Sequence, residues 1–505
     1  MENASYTKLL NLSTRASLYS GIGMILEWDL ETYMPKKGGE NRASQVELIA
    51  SLIHKEKTSP EFVSALESLV DLETGEIRDS TLSDEHKAAL REWRRDYIHE
   101  AKLPTEFVEK FAKVTSLACH AWKDAKEEND FKAYLPHLEK VVDLCRKKAD
   151  FLGYEEHPYD ALVDCFEPNM RTKVLAALFE RLKIPLTSLI KKIETKKEPE
   201  SGFLREDYPH DKQIRFGKKI LTAMGFDKSF SRLDESAHPM CIPIHPDDTR
   251  MTTRVYPNNV LINLLSCIHE GGHGLYHSNL PSEHFGSPLG EAASLGIDES
   301  QSRLWETILG RSLPFWQHFF PLLQKEFPEQ LAEVQLQEFY QGMNTVRPSM
   351  IRTDSDEVTY NLHIMVRFEM EKALIEGKLK VEKIPEAWNE KMREYLGITP
   401  KADSEGCLQD IHWSLGAIGY FPTYTLGNLY AGQIFETLKD NFPDWKENLA
   451  KGELSFIRDW TKREIHQHGR RYLPDELCKR VTGKPLSEKP FIDYLEKKYT
   501  ALYHL

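Results

Sequence analysis

Residues 269–273 read His-Glu-Gly-Gly-His within an apolar run from Val260 to Ser278 that has helical character. Histidines four apart on a helix project from one face, so both imidazoles reach a single metal ion. Glu270 is placed to hold and deprotonate a metal-bound water, an arrangement that hydrolyses peptide or ester bonds at neutral pH. Catalytic zinc takes a third protein ligand and keeps one open position. A third histidine within the motif is missing, because Tyr276 and Asn279 stand where it would continue. Glu299, in Asp298-Glu299-Ser300-Gln301 and 26 residues after His273, is the natural third ligand from a second helix. His277 and His284 read as neighbours of the centre or as surface residues. Cys267, two positions before His269, points to another face and reads as a buried thiol.

These groups need rigid elements to hold them. Asn259 stands where it can cap a helix from about Val260 to Ser278, with Leu261, Leu264, Leu265 and Ile268 packing inward. Gly271 and Gly272 each cost about 1 kcal/mol in a helix interior, a penalty that close approach of another helix or of substrate would explain. Helical stripes recur at Leu90, Trp93 and Tyr97, at Leu138, Val141, Val142 and Cys145, and more loosely at Met365, Phe368, Met370 and Leu374. Two short β-prone runs, Cys241–His245 and Met251–Tyr256, predict a small antiparallel sheet just before the metal helix. Lys191–Ser201 reads as an exposed loop. The fold class is mainly α, with this minor sheet beside the metal site.

Composition narrows the partners. With 40% apolar and 29% charged residues the chain is an ordinary globular protein, and its 505 residues alone would allow two to four domains. A net charge of −13 argues against nucleic acid as the main partner. No stretch approaches the length of a membrane span, and the first residues lack the order of a secretory signal. Seven scattered cysteines without CxxC pairs fit a reducing compartment, so a cytoplasmic location is expected.

The wider sequence resembles the carboxypeptidase Taq family of metallocarboxypeptidases, which are HExxH enzymes with a glutamate ligand. Glu27-Trp28-Asp29, Thr32-Tyr33-Met34-Pro35 and Arg42-Ala43 match its N-terminal signature. His238-Pro239 is similar to its His-Pro-Phe element, with Met240 in place of Phe. Asp248-Thr249-Arg250-Met251-Thr252-Thr253 resembles Asp-x-Arg-x-x-Thr, and Ile351-Arg352-Thr353-Asp354-Ser355-Asp356 resembles Ile-Arg-x-x-Ala-Asp, with Ser355 for Ala. Gly406 to Trp413 matches Gly-x-x-Gln-Asp-x-His-Trp in full. One departure touches the centre: Asp298 stands where the family usually has His, which reads as tuning of affinity, metal preference or local charge. The resemblance implies a predominantly helical single unit with a long deep groove, metal at its floor, and often a homodimer. It implies removal of single residues from peptide C-termini with broad specificity. Zinc is the default ion, with cobalt or manganese also supporting activity. One catalytic domain over 1–505 is expected, with an N-terminal helical part to about 200, a metal-site core over about 235–430 and C-terminal helices over about 431–505.

The remaining roles follow from chemistry. Glu270 is the general base, returning its proton to the leaving amine. His412 and Tyr424 are candidate neutral donors to the oxyanion, with Tyr420 as a rival that, like Phe421, reads more simply as core. An exopeptidase must hold a free carboxylate, for which an arginine fork suits. Arg352 is the first candidate and Arg250 the second, with Gln409 adding a neutral hydrogen bond. The plain alternative for Arg352 is an internal salt bridge to Asp354 or Asp356. His466-Gln467-His468-Gly469-Arg470-Arg471 either borders the groove or is a helix C-cap at Gly469 followed by a solvated basic turn. Peptides are the expected partners. The rival readings are an oligopeptidase cutting internally and a metal-stabilised scaffold that binds peptides without turnover; the intact Glu270 argues against the second.

Overall fold

The computed structural model describes Asn3–Leu505, and most of these residues are helical. Among them no helix is long and apolar enough to cross a membrane. The chain gathers into two compact units, each assembled from three separate stretches: 1–101, 199–343 and 434–485 in the first, and 102–198, 344–433 and 486–505 in the second. These stretches cut across the consecutive parts anticipated from the sequence.

The first unit contains α1 (Ala4–Glu31), a three-stranded sheet, α2 (His210–Met224), the metal helix α3 (Val260–Ser278) and α4 (Leu295–Arg303). The strands are β1 (Ser231–Glu235), β2 (Cys241–His245) and β3 (Asp248–Thr253), in the order β1-β3-β2. β2 pairs antiparallel with β3, as the two β-prone runs foretell, whereas β1 pairs parallel with it, making the sheet mixed. The second run was expected at Met251–Tyr256, yet β3 begins at Asp248, because His245 pairs with Asp248 across a tight Pro246-Asp247 turn. β1 escapes periodicity because Leu233 is its one apolar residue. Polar contacts hold it instead: Arg232 donates to Asp234, and Tyr33, in the turn after α1, donates to the same carboxylate at 2.6 Å. Arg232 and Arg250 are register partners, and both guanidinium groups lie over the Trp28 ring at 4.6 and 4.5 Å. The N-terminal signature and the Asp-x-Arg element thus meet on one face of the sheet.

α3 has the bounds read from the sequence, but Asn259, though at the N-cap position, makes no side-chain capping bond. Asn263 anchors the helix instead, donating to Thr253 of β3 at 3.0 Å. The glycines of α3 are explained by neighbouring helices and the chain that leads into the sheet. A Cβ on Gly271 would come within 2.7 Å of Met224 and 2.9 Å of Leu221 on α2, and one on Gly274 within 2.9 Å of Phe226. At Gly272 the obstacle is backbone: 2.5 Å to the Ser302 Cα and 2.6 Å to the Gln301 carbonyl oxygen on α4. The segment after α3 runs through Leu295–Arg303 into a π-helical turn, Leu304–Leu309.

The second unit contains helices at Phe131–Leu152, Pro158–Val163 and Thr172–Ile193 and the central α5 (Tyr360–Ile375). Leu138, Val141, Val142 and Cys145 are all buried, as their spacing requires. The looser stripe at Met365–Leu374 has a physical reason. α5 is buried nearly all round, and its polar members Asn361, His363, Arg367 and Glu371 are fully inside.

Because the α4 backbone cannot yield as a side-chain end does, Gly272→Ala is expected to destabilise the protein by about 1–3 kcal/mol, the scale of core overpacking. Gly271→Ala, facing mobile side-chain ends, should cost less. Thermal unfolding of the two variants checks this, and a Gly272→Ala protein as stable as its parent would contradict the packing argument.

Candidate active site

The i, i+4 spacing on α3 places the His269 and His273 rings 5.0 Å apart. The approach at Gly272 brings α4 alongside, so that Glu299 faces both. Its Oε2 lies 3.7 Å from His269 Nε2 and 3.3 Å from His273 Nε2. The potential ligand atoms of these three residues all lie within 4.8 Å of one another. The other ring nitrogens are engaged: His269 Nδ1 with Glu306 at 2.9 Å, and His273 Nδ1 with Asp298 at 2.7 Å. An Nδ1–H held by a carboxylate leaves Nε2 as the lone-pair atom, so the donor set fits a divalent ion of the zinc type. Arg303 donates to Glu299 Oε1 at 2.6 Å, leaving Oε2 directed at the imidazoles, and also reaches Glu306 at 3.3 Å.

The charges of this cluster are mutually set. Burial raises the Glu270 carboxyl above the usual range, while His269 and His273 pull it back. Burial would also raise Asp298, but His277 and His273 outweigh it and hold Asp298 well below the ordinary carboxylate range. Glu299 and Glu306 are held low against burial, each chiefly by Arg303. Burial pulls His273 down, but Asp298 and Glu299 outweigh it and lift it well above the ordinary histidine range. Asp298 also accepts from His277 Nε2 at 3.0 Å, so the residue that departs from the family pattern bridges two histidines. Glu306 and Arg303 were missed in the sequence. Their signal was present, since Glu299, Arg303 and Glu306 stand at i, i+4 and i+7 and share a face.

The second group forms within the other unit. Arg352 is buried, and it donates from Nε and Nη2 to Asp410 at 3.3 and 3.1 Å and from Nη1 to the Tyr360 hydroxyl at 3.0 Å. Its partner is therefore Asp410, not Asp354 or Asp356; Asp356 instead accepts from the backbone amides of Arg347, Val358 and Thr359. Asp410 also accepts from Arg367 Nε at 2.6 Å, so one carboxylate serves two guanidinium groups. Three of the five Arg352 N–H donors are used, which leaves capacity for an anion. His412 and Tyr424 sit beside this arginine: Arg352 lies 4.9 Å over the Tyr424 ring, and the His412 ring is tilted against Phe421 at 4.5 Å, which Arg352 also overlies. His412, Tyr420 and Tyr424 are half-buried, whereas Phe421 is core.

One candidate binding residue takes another role. The Gln409 amide is spent internally, accepting from Arg352 N at 2.9 Å and Arg367 Nη2 at 2.7 Å and donating to Met350, Glu405 and Gly406 carbonyls, so it braces the arginines. Arg250 meets Asp248 through Nε and Nη2, 3.0 Å each, and lies over the Trp28 ring. The basic run near the C-terminus does not cap the preceding helix, and its His466 and Arg470 are buried. The preceding helix ends at Glu464, Arg470 is buried among Glu92, Asp96 and Glu291, and His466 is buried against Tyr276 with Nε2 2.9 Å from Gln301 Oε1. Cys267 is fully buried.

Comparison with known proteins agrees with this chemistry. Residues 8–499 match the family model described as carboxypeptidase Taq (M32) metallopeptidase. The chain is 42% identical to thermostable carboxypeptidase 1 of Thermus thermophilus, covering 99% of each chain. It is 36% identical to carboxypeptidase 1 of Bacillus subtilis over the full length of both. The solved M32 carboxypeptidase of Deinococcus radiodurans R1 superposes with a TM-score of 0.96 at 34% identity, covering 100% of both chains.

Glu299→Ala should lose bound metal while keeping its helical content. Elemental analysis after dialysis tests this, and one ion retained per chain would remove Glu299 from the ligand set.

Proposed function

The chain belongs to the carboxypeptidase Taq (M32) family of metallopeptidases and is a metallocarboxypeptidase, and on that premise we propose how its residues divide the work. His269, His273 and Glu299 hold one divalent ion, zinc before cobalt or manganese, since two imidazoles and a carboxylate with an open position suit zinc. The observation that carries this is the convergence of their ligand atoms within 4.8 Å, with each imidazole oriented by its own carboxylate. A divalent ion bound there supplies Lewis acidity, polarising the scissile carbonyl and making water acidic enough to attack near neutral pH.

Glu270 accepts the proton of the attacking water and returns it to the leaving amine; burial raises its carboxyl above the usual range. His412 and Tyr424 offer neutral donors to the developing oxyanion. Arg352 receives the terminal carboxylate, supported by its spare donors. Broad specificity for the departing residue is carried over from the sequence resemblance.

Glu270→Gln should keep its metal and lose about 10²–10⁴-fold in turnover, the usual weight of a general base. Near-normal turnover would place the base elsewhere. Arg352→Ala should lower kcat/KM by about 10- to 100-fold for peptides with a free C-terminus, the worth of a charge-assisted contact. C-terminally amidated peptides of the same sequence are the control. Equal losses on both would favour the internally cutting oligopeptidase, and no release by the metal-loaded parent protein would favour the binding scaffold.

A further inference from the structure

Glu371 lies on α5, is wholly buried, and has no part in the roles above. Its Oε2 accepts from the Tyr159 hydroxyl at 2.6 Å and the Gly419 amide at 3.0 Å, and its Oε1 from the Trp413 indole at 2.9 Å. Trp413 directly follows His412, and Gly419 precedes the Tyr420–Tyr424 segment. One carboxylate therefore ties both ends of the Trp413–Gly419 turn to α5 and to the Pro158–Val163 helix. Gly419, with φ of 98°, packs against that helix so closely that a Cβ would lie 2.8 Å from the Leu162 carbonyl carbon. An indole N–H and a backbone N–H can only donate, so both bonds are best served by an ionised acceptor. A protonated Glu371 has only the Tyr159 oxygen to donate to, which would reverse that bond.

We propose that Glu371 is a positioning residue for the peptidase reaction: as a carboxylate it fixes His412 and Tyr424 for the oxyanion, and on protonation it loosens them. This rests on reading those two residues as oxyanion donors. The geometry has a pH consequence. Burial pushes Glu371 up to about 7, against the pull of the Tyr159, Gly419 and Trp413 bonds and of Arg367. The charged and titratable groups around it are Arg367 one turn back on α5, Tyr159 on the Pro158–Val163 helix, and Cys145 on the Phe131–Leu152 helix. The carboxylate fraction grows with rising pH, so turnover should gain an acid limb in the neutral range.

Glu371→Gln keeps the shape but turns an amide NH₂ toward a donor. With the metal-loaded full chain, kcat is expected to fall by about tenfold or more at about pH 8, with KM little changed, and the limb between about pH 6 and about pH 8 should flatten. Hydrogen exchange should quicken over residues 411–424 and stay unchanged over 260–278. Tyr159→Phe, which removes one bond to the carboxylate, should move the limb to higher pH, and it carries the test if Glu371→Gln does not fold. His412→Ala and Tyr424→Phe are assayed in parallel. If they are crippled while Glu371→Gln keeps the parental kcat and limb, or Tyr159→Phe leaves the limb in place, the Glu371 proposal is overturned alone. If His412→Ala and Tyr424→Phe keep full turnover, the oxyanion reading fails and takes this proposal with it.

Discussion

The candidate metal site depends on one contact between two helix backbones. Two histidines on α3 make half a site wherever that helix goes, but the carboxylate must come from another element and arrive at ligand distance. The absent side chain at Gly272 lets the Gln301–Ser302 backbone lie against α3, and that contact fixes where Glu299 points. Gly271 and Gly274 repeat the device toward α2 and Phe226, so the segment carrying the ligands is gripped on several sides. The propensity cost of glycine in a helix, about 1 kcal/mol each, is offset by this packing and by a ligand geometry that a flexible loop would not hold.

Close packing carries an electrostatic burden, because it strips water from several ionisable groups at once. An isolated buried carboxylate would neutralise itself by taking a proton. Here the acids remain ionised through paired charges: Arg303 between Glu299 and Glu306, and His273 with His277 around Asp298. Glu270, with no bonded cation of its own, is the member whose carboxyl burial raises. That contrast sets Glu270 apart from the acids whose carboxylates are held by paired charges. The other unit applies the same rule with reversed sign, since Arg352 and Arg367 share Asp410.

What could be read in advance was what depends on local spacing. His269, Glu270 and His273, the extent of α3, and the stripe at Leu138–Cys145 follow from helical geometry, and the order of short motifs pointed to the family. Partners chosen by tertiary packing were not legible. Asp410 was inside a recognised motif, yet only the fold pairs it with Arg352 in preference to the nearer Asp354 and Asp356. β1 carries too few apolar residues to show a period, and its place depends on Tyr33 and Arg232 meeting Asp234. The His466–Arg471 run looked solvated because its charge is conspicuous, but its counter-charges lie on Glu92, Asp96 and Glu291, far along the chain.

Asp298 shows how one such partner bears on chemistry. A histidine at this position would meet the His273 ring as a neutral group or a cation. An aspartate meets it as an anion, accepts the Nδ1 proton and leaves Nε2 the more basic atom. The consequence is a matched pair, since His269 already has Glu306 in the same relation. Partners of this kind commonly shift metal affinity by about 10–100-fold, through ligand basicity and through the entropy of holding a ring in one orientation. The extra negative charge is also tolerable here for a structural reason: the second oxygen of Asp298 is taken by His277, so the carboxylate is satisfied at both ends without drawing Arg303 away from Glu299. Asp298 therefore fixes the orientation of the His273 ring while leaving the Arg303–Glu299 pair intact.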